Sequence, residues 1–310
     1  MNIYFIYRKS QKNLGSVKMR VFQLKDMIAS KNIDVKIKGI HSSKISLYHY
    51  YWLAFIKRSS ILIFNKDAID RAPIKMLSLL RSKNIKVALD VLDKDLNRFN
   101  YNKIDYLIAS SNRQYEYLKN VVRSSNLQIE VLYIPHQADL RLKKIGTKPT
   151  FYRRKNKKVF YFGEHTNLYC PTEYLGEINI IPYNGIMADE EIQEIRNYNF
   201  QYCIRGPQQN TSLYIFKPIT KIINSYYLSS LPIISFDMDD AVKVLGADYP
   251  FTLQSYSDEG FRSLFECINN PTDADIKKAK ESMKKLNEHC GFDAVTDYFT
   301  TAIRTIGKQN

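Results

Sequence analysis

Short β-type runs alternate with helical patterns along almost the whole chain, and that alternation limits the fold more than any single residue does. In the first half, residues 2–7, 34–40, 61–64, 85–89, 106–109 and 129–134 read as strands. Between them, residues 16–30 read as an amphipathic helix with Val17, Val21, Leu24 and Ile28 on one face, and residues 47–56, 73–81 and 113–122 as further helices. The pattern stops over residues 138–158, a basic, polar stretch holding Arg141, Lys143, Lys144, Gly146, Lys148 and Pro149. It resumes with strands at 158–162, 178–181, 200–204, 233–236 and 251–253 and helices at 189–197, 259–268, 273–286 and 293–306. Strands spaced by helices in this way pair in parallel. The expectation is therefore two α/β domains, residues 1–148 and 149–310, each a doubly wound parallel sheet. Ligands of such sheets sit at the carboxyl ends of the strands.

With 45% hydrophobic and 25% charged residues, a chain of 310 residues can bury a sizeable core. No run approaches the ~20 apolar residues of a membrane span. The amino terminus becomes charged too soon for a signal peptide, so a cytoplasmic location is expected. Cys170, Cys203, Cys267 and Cys290 lie far apart without metal-type pairing, which implies reduced thiols and no zinc site. The net charge of +15 is unevenly spread. Residues 1–150 hold 28 Lys and Arg against 11 Asp and Glu, whereas residues 151–310 hold 18 against 20. An excess of +17 in the first half points to an anionic partner: nucleic acid, a membrane surface or a phosphorylated acceptor.

Residues 216–236 combine a helix, expected to open at Pro218, with a buried strand. Ile219, Ile222, Ile223, Tyr226 and Tyr227 form its apolar stripe, and Lys217 and Lys221 lie near its amino-terminal end, which favours anions such as a diphosphate. Arg205 ends another strand before Gly206 and Pro207, placing a guanidinium fork at the sheet edge. Asn224, one turn beyond Lys221, is a further candidate for a polar ligand contact. Gly163 ends the strand at 158–162 and permits close backbone approach, while Glu164 and His165 in the loop behind it are candidates for proton transfer or ligand contact. His136, at the domain junction, is a similar lone histidine. In the basic half, Asp90, Asp93 and Asp95 follow a strand. They fit a general base, with Asp93 first, a magnesium site, or helix caps. Tyr48, Tyr50, Tyr51 and Trp52 lie near His41, Lys44 and Lys57, which suits sugar stacking, a lipid headgroup layer or plain core packing.

Four stretches together resemble the GT-B glycosyltransferases. Residues 104–112 with 131–136 are similar to the strands that close that family's first domain, and residues 159–163 look like the glycine-ended first strand of its second. Residues 13–24, with Gly15, Ser16 and Arg20, look like its first-domain loop and helix. Residues 217–234 are similar to its donor element, Glu-x7-Glu-Ala-x-Ala-x-Gly-x-Pro-Val-Ile, but aligning Pro232 puts Lys217 and Ser225 where the glutamates stand and Ser230 where the glycine stands. The second glutamate commonly holds ribose hydroxyls in the family, so that contact is absent here or made elsewhere. The resemblance implies two Rossmann-like domains facing across a cleft, the second binding a nucleotide-sugar and the first an acceptor. Donor contacts fall to Gly163, Glu164, Arg205, Lys217, Lys221 and Asn224, catalytic roles to Asp93 and His165, and acceptor contacts to Gly15, Ser16 and Arg20. The implied activity is metal-independent, cofactor-free transfer of a sugar to a glycan or lipid-linked acceptor in surface polysaccharide synthesis, in the cytoplasm or peripheral to the inner membrane face. The same fold also serves DNA-modifying glycosyltransferases, and a non-catalytic nucleic-acid- or lipid-binding module is a third reading.

Overall fold

The computed structural model describes residues 2–40, 55–56, 59–71, 79–92, 104–144, 151–152, 157–182, 189–207 and 216–308. The chain divides into two compact units, one formed by Met1–His136, Ser212–Pro218 and Val295–Asn310, the other by Gln137–Thr211 and Ile219–Ala294.

The first unit is built on six parallel strands: β1 (Ile3–Arg8), β2 (Val35–Ile40), β3 (Ile61–Asn65), β4 (Lys86–Asp90), β5 (Tyr106–Ala109) and β6 (Glu130–Tyr133). Their order is β2-β1-β3-β4-β5-β6. Every residue of β3 and β5 is buried, as a parallel sheet covered on both faces requires. Helices α1 (Gly15–Val17) and α2 (Leu24–Ala29) are joined by a wider π-type turn, Lys18–Gln23, so the expected helix at 16–30 is one rod with a loosened middle. Helix α3 (Asn112–Ser124) starts at Ser111, whose side chain accepts from the Gln114 N–H. Residues 79–82 are helical, and the rest of the expected helices at 47–56 and 73–81 falls almost entirely outside the described residues, as do Tyr48, Tyr50, Tyr51 and Trp52.

The wider turn carries Arg20 inward. At 1% exposure its Nε and Nη2 donate to the Asp90 carboxylate at 2.9 and 3.2 Å, and Nη1 donates to the Pro135 carbonyl at 3.0 Å. This clamp ties the first helix to the ends of β4 and β6. It differs from the sequence expectation, in which Arg20 met an acceptor and Asp90 was an open carboxylate.

The second unit has five parallel strands, β7 (Lys157–Phe162), β8 (Ile178–Ile181), β9 (Tyr198–Tyr202), β10 (Leu231–Ser235) and β11 (Thr252–Leu253), in the order β11-β10-β9-β7-β8. Its helices are α4 (Arg141–Lys144), α5 (Asp189–Ile195), α6 (Thr220–Leu228), α7 (Asp239–Leu245), α8 (Asp258–Asn269) and α9 (Asp273–Cys290). The closing helix α10 (Phe292–Lys308) belongs to the first unit from Val295 onward. There Phe299 meets Phe5 edge-on at 5.8 Å and Tyr298 meets Tyr133 at 5.2 Å.

Pro232 sits inside β10, a strand with neighbours on both sides, where a missing N–H is ordinarily costly. The register explains why it is tolerated. Ile234 N–H donates toward β11, so Pro232, two residues earlier, faces the same side at a level where β11 has not begun. The Pro232 carbonyl on that side accepts from the Tyr249 hydroxyl at 2.9 Å.

Breaking a buried ion pair leaves one charge stranded and costs about 3–5 kcal/mol. Arg20→Ala and Asp90→Ala are each expected to lose about that much in urea unfolding, with an unchanged denaturant slope. Arg20→Met combined with Asp90→Leu, which strands no charge, is expected to lose less than either.

Candidate functional site

Strand order reverses between β7 and β9 in the second sheet, and such a switch point opens a crevice at the carboxyl edge. Gly163 follows β7 there with φ +150°, a conformation that L side chains rarely adopt. A Cβ at this position would stand 2.5 Å from Lys221 Nζ and 2.7 Å from its Cε. Glycine is thus what gives the Lys221 side chain its room. The ammonium lies 4.0 Å from the centroid of the Tyr161 ring, a cation–π contact. Tyr161 Oη in turn donates to the Glu164 carbonyl at 2.6 Å, fixing the loop behind Gly163.

Across the switch point, Cys203 and Ile204 extend the line of β9 to Arg205, with the Cys203 N–H donating to the Ile233 carbonyl. Burial pushes the Cys203 thiol up to about 12, while the positive charges of Lys221 and Arg205 pull the other way. Both cations therefore act on one buried sulfur at the end of β9. Gly206 passes under the Tyr169 ring so closely that a Cβ would lie 2.8 Å from it.

The start of α6 reinforces this cationic edge. Helices α3, α8 and α9 are capped by Ser111, Ser257 and Thr272, the usual oxygen-bearing caps. At α6 the capping position is Ile219, which has no side-chain oxygen, and the first turn holds no acid but does hold Lys221. An uncapped helix start with a lysine in its first turn is suited to an anionic oxygen. Pro218 stands two residues before the first helical residue, so the helix opens two residues later than its pattern predicts.

The structure brings Gly163, Lys221 and Arg205 together. Lys217 belongs to the first unit, following Phe216, whose ring lies 4.7 Å from that of Tyr117. The Asn224 side-chain carbonyl accepts from the Asp139 N–H at 3.0 Å, so it braces the chain near α4. Glu164 and His165 are exposed in the loop after Gly163, His165 opening a single 3-10 turn. Ser225, in the place of the second glutamate, is fully buried and donates to Gln201 Oε1 at 2.7 Å. It faces the sheet, and nothing outside can reach it.

In the first unit Gly15 and Ser16 open α1, both partly buried. Asp93 and Asp95 lie outside the described residues. The switch point of this sheet falls between β1 and β3. At their carboxyl ends Arg8 Nε, Gln11 Oε1 and both polar atoms of Asn65 are buried without a hydrogen-bond partner among the described residues. Tyr161, Cys203 and this polar set were missed from sequence. Only the position of Tyr161, two residues before a strand-ending glycine, was a usable signal.

Among the described residues, no group of three or more His, Cys, Asp or Glu side chains could hold a metal ion, and no helix is long and apolar enough to cross a membrane.

No protein-family model and no curated protein matches the sequence. Solved structures do match. An α,α-trehalose-phosphate synthase (UDP-forming) from Burkholderia vietnamiensis aligns with a TM-score of 0.60 over 98% of this chain and 99% of its own, at 8% identity. The DNA-modifying enzyme β-glucosyltransferase, whose substrate is uridine diphosphoglucose, aligns with a TM-score of 0.53 over 99% and 100%, at 12% identity. The pneumococcal O-GlcNAc transferase GtfA, solved with UDP and GlcNAc, aligns with a TM-score of 0.52 over 83% of this chain, at 11% identity, and this chain spans 59% of it. The fold is therefore GT-B, two parallel-sheet α/β domains, and its structural neighbours include glycosyltransferases.

Gly163→Ala is expected to displace the Lys221 ammonium from the Tyr161 ring and to lower stability by about 1 kcal/mol or more in urea unfolding, from the lost cation–π contact and the strained φ. The Cys203 thiol gives an alkaline signature. Its folded value of about 12 lies above the ordinary 9.0, so its contribution to stability is complete below 9.0 and lost as pH rises toward 12. Urea midpoints should fall across that window, and less steeply in Cys203→Ala.

Proposed function

We propose that this chain is a glycosyltransferase that binds a nucleotide-sugar at the carboxyl edge of its second sheet and passes the sugar to a glycan or lipid-linked acceptor in surface polysaccharide synthesis. The observation that carries this is the presence of Lys221, against Gly163 and in the uncapped first turn of α6, and of Arg205, in line with β9, at the carboxyl edge of one sheet where its strand order reverses. As the bond from the sugar to the diphosphate breaks, negative charge collects on the departing phosphate oxygen. Positioned cations and N–H dipoles stabilise that charge without rearranging. In this reading they supply what a metal ion would otherwise bring. The acceptor oxygen forms the new bond to the sugar, and its proton passes to a nearby base. Asp93 and His165 are the assigned candidates for proton transfer.

The acceptor is assigned to the first unit. Its Arg8 Nε, Gln11 Oε1 and Asn65 amide atoms, without hydrogen-bond partners among the described residues, supply both donors and acceptors, the pattern that sugar hydroxyls complement. The charge excess of residues 1–150 would hold this unit near an anionic carrier or the inner face of a membrane. The same excess, with the similarity to a DNA-modifying glucosyltransferase, favours duplex DNA as the second reading.

A panel of UDP-, GDP-, CMP- and dTDP-compounds tests the proposal by thermal shift. A ligand at 100 times its dissociation constant stabilises by about 2.7 kcal/mol, a rise of several degrees, and silence across the panel would overturn the transferase reading. With a turning-over donor in hand, Asp93→Asn is expected to abolish turnover and leave nucleotide binding unchanged. Activity on duplex DNA that collapses steeply between low and moderate salt would replace the glycan acceptor with DNA.

A further inference from the structure

Arg205 and Lys221 account for the anionic end of a nucleotide-sugar but leave the nucleoside without a partner. A nucleoside offers two recognisable features, a flat π-face and a ribose whose two neighbouring hydroxyls both donate hydrogen bonds. The same edge of the second sheet presents a complement to each. Tyr169 and Phe236 are exposed by 38% and 47%, and both rings contact Tyr256, at 5.5 and 5.6 Å. Directly after Phe236, two residues beyond the end of β10, stands Asp237, partly exposed.

The Asp237 carboxylate is held on one side only. Its Oδ1 accepts from Ser235 Oγ at 2.7 Å and from Tyr256 Oη at 2.8 Å. The Tyr256 hydroxyl also lies 3.0 Å from the Arg205 carbonyl. It has a single proton, and the charge-assisted bond to Asp237 is the stronger use of it. Tyr256 thus keeps the carboxylate within about 6 Å of the Arg205 backbone. The other oxygen, Oδ2, has no partner among the described residues. A carboxylate so anchored has little freedom left to lose on binding and still has an oxygen that accepts two hydroxyl protons.

We infer that Asp237, aligned by Ser235 and Tyr256, holds the ribose diol of the nucleoside diphosphate, with Phe236 and Tyr169 supplying its aromatic flank. This rests on the donor-site reading above and assigns to β10 a contact that the fully buried Ser225 of α6 cannot make.

The test is binding by calorimetric titration of uridine, guanosine, cytidine and adenosine diphosphates, each beside its 2′-deoxy counterpart. The wild type is expected to prefer at least one ribonucleotide by about tenfold or more, the size of a hydrogen bond to a charged group. Asp237→Ala should weaken that ribonucleotide to the level of its deoxy form while the deoxy form binds as before. Asp237→Asn should keep part of the preference, since its amide oxygen still accepts. Unliganded melting temperatures check that both variants fold. If no nucleotide binds the wild type, the donor reading fails and this inference with it. If the wild type binds but shows no preference, or Asp237→Ala keeps the full preference, the donor reading stands and the assignment to Asp237 is overturned.

Discussion

Parallel strand pairing is the constraint on which the rest depends. Because every strand of each sheet points the same way, each crossover must return outside the sheet, and all the carboxyl ends of one sheet collect at one edge. Chain segments leaving that edge diverge where the strand order reverses. In the second unit this divergence falls between β7 and β9, and Gly163, Lys221 and Arg205 are found there. In the first unit it falls between β1 and β3, where buried polar atoms lack partners among the described residues. The two units use the same architecture in different ways. One gathers positive charge, and the other gathers buried donors and acceptors that lack hydrogen-bond partners among the described residues.

The strands of the sheets were legible because buried parallel strands read as unbroken apolar runs: Ile61 to Phe64 and Tyr106 to Ala109 admit little else. Gly163 and Arg205 were legible for a related reason, as polar or flexible residues closing such runs. Arg20 shows where that logic stops. An arginine in an amphipathic helix looks solvated or ligand-facing from sequence, and only the three-dimensional meeting of the first helix with β4 and Pro135 reveals a buried clamp. Asn224 likewise has the right helical phase for a ligand but is occupied by the Asp139 backbone, a contact 85 residues away in the chain.

Ser225 and Asp237 illustrate the converse. A motif aligned by its proline correctly marked an absent carboxylate, because residue identity can be read directly. The Asp237 arrangement could not be read in the same way. It depends on Tyr256, which arrives from beyond β11, and on the short reach of Ser235, so it exists only once β10 and β11 lie side by side. Periodicity describes what an element buries, whereas a site of this kind is made by loops from separate strands meeting at an edge.

The contact between Gly163 and Lys221 has an evolutionary corollary. Position 163 cannot acquire a side chain while the lysine occupies its present place, and the lysine rests on an aromatic ring two residues before that glycine. The three positions 161, 163 and 221 are thus physically coupled. A descendant that drifts at any of them would have to rebuild the neighbourhood, through another cation or another strand ending, before the edge regained its charge.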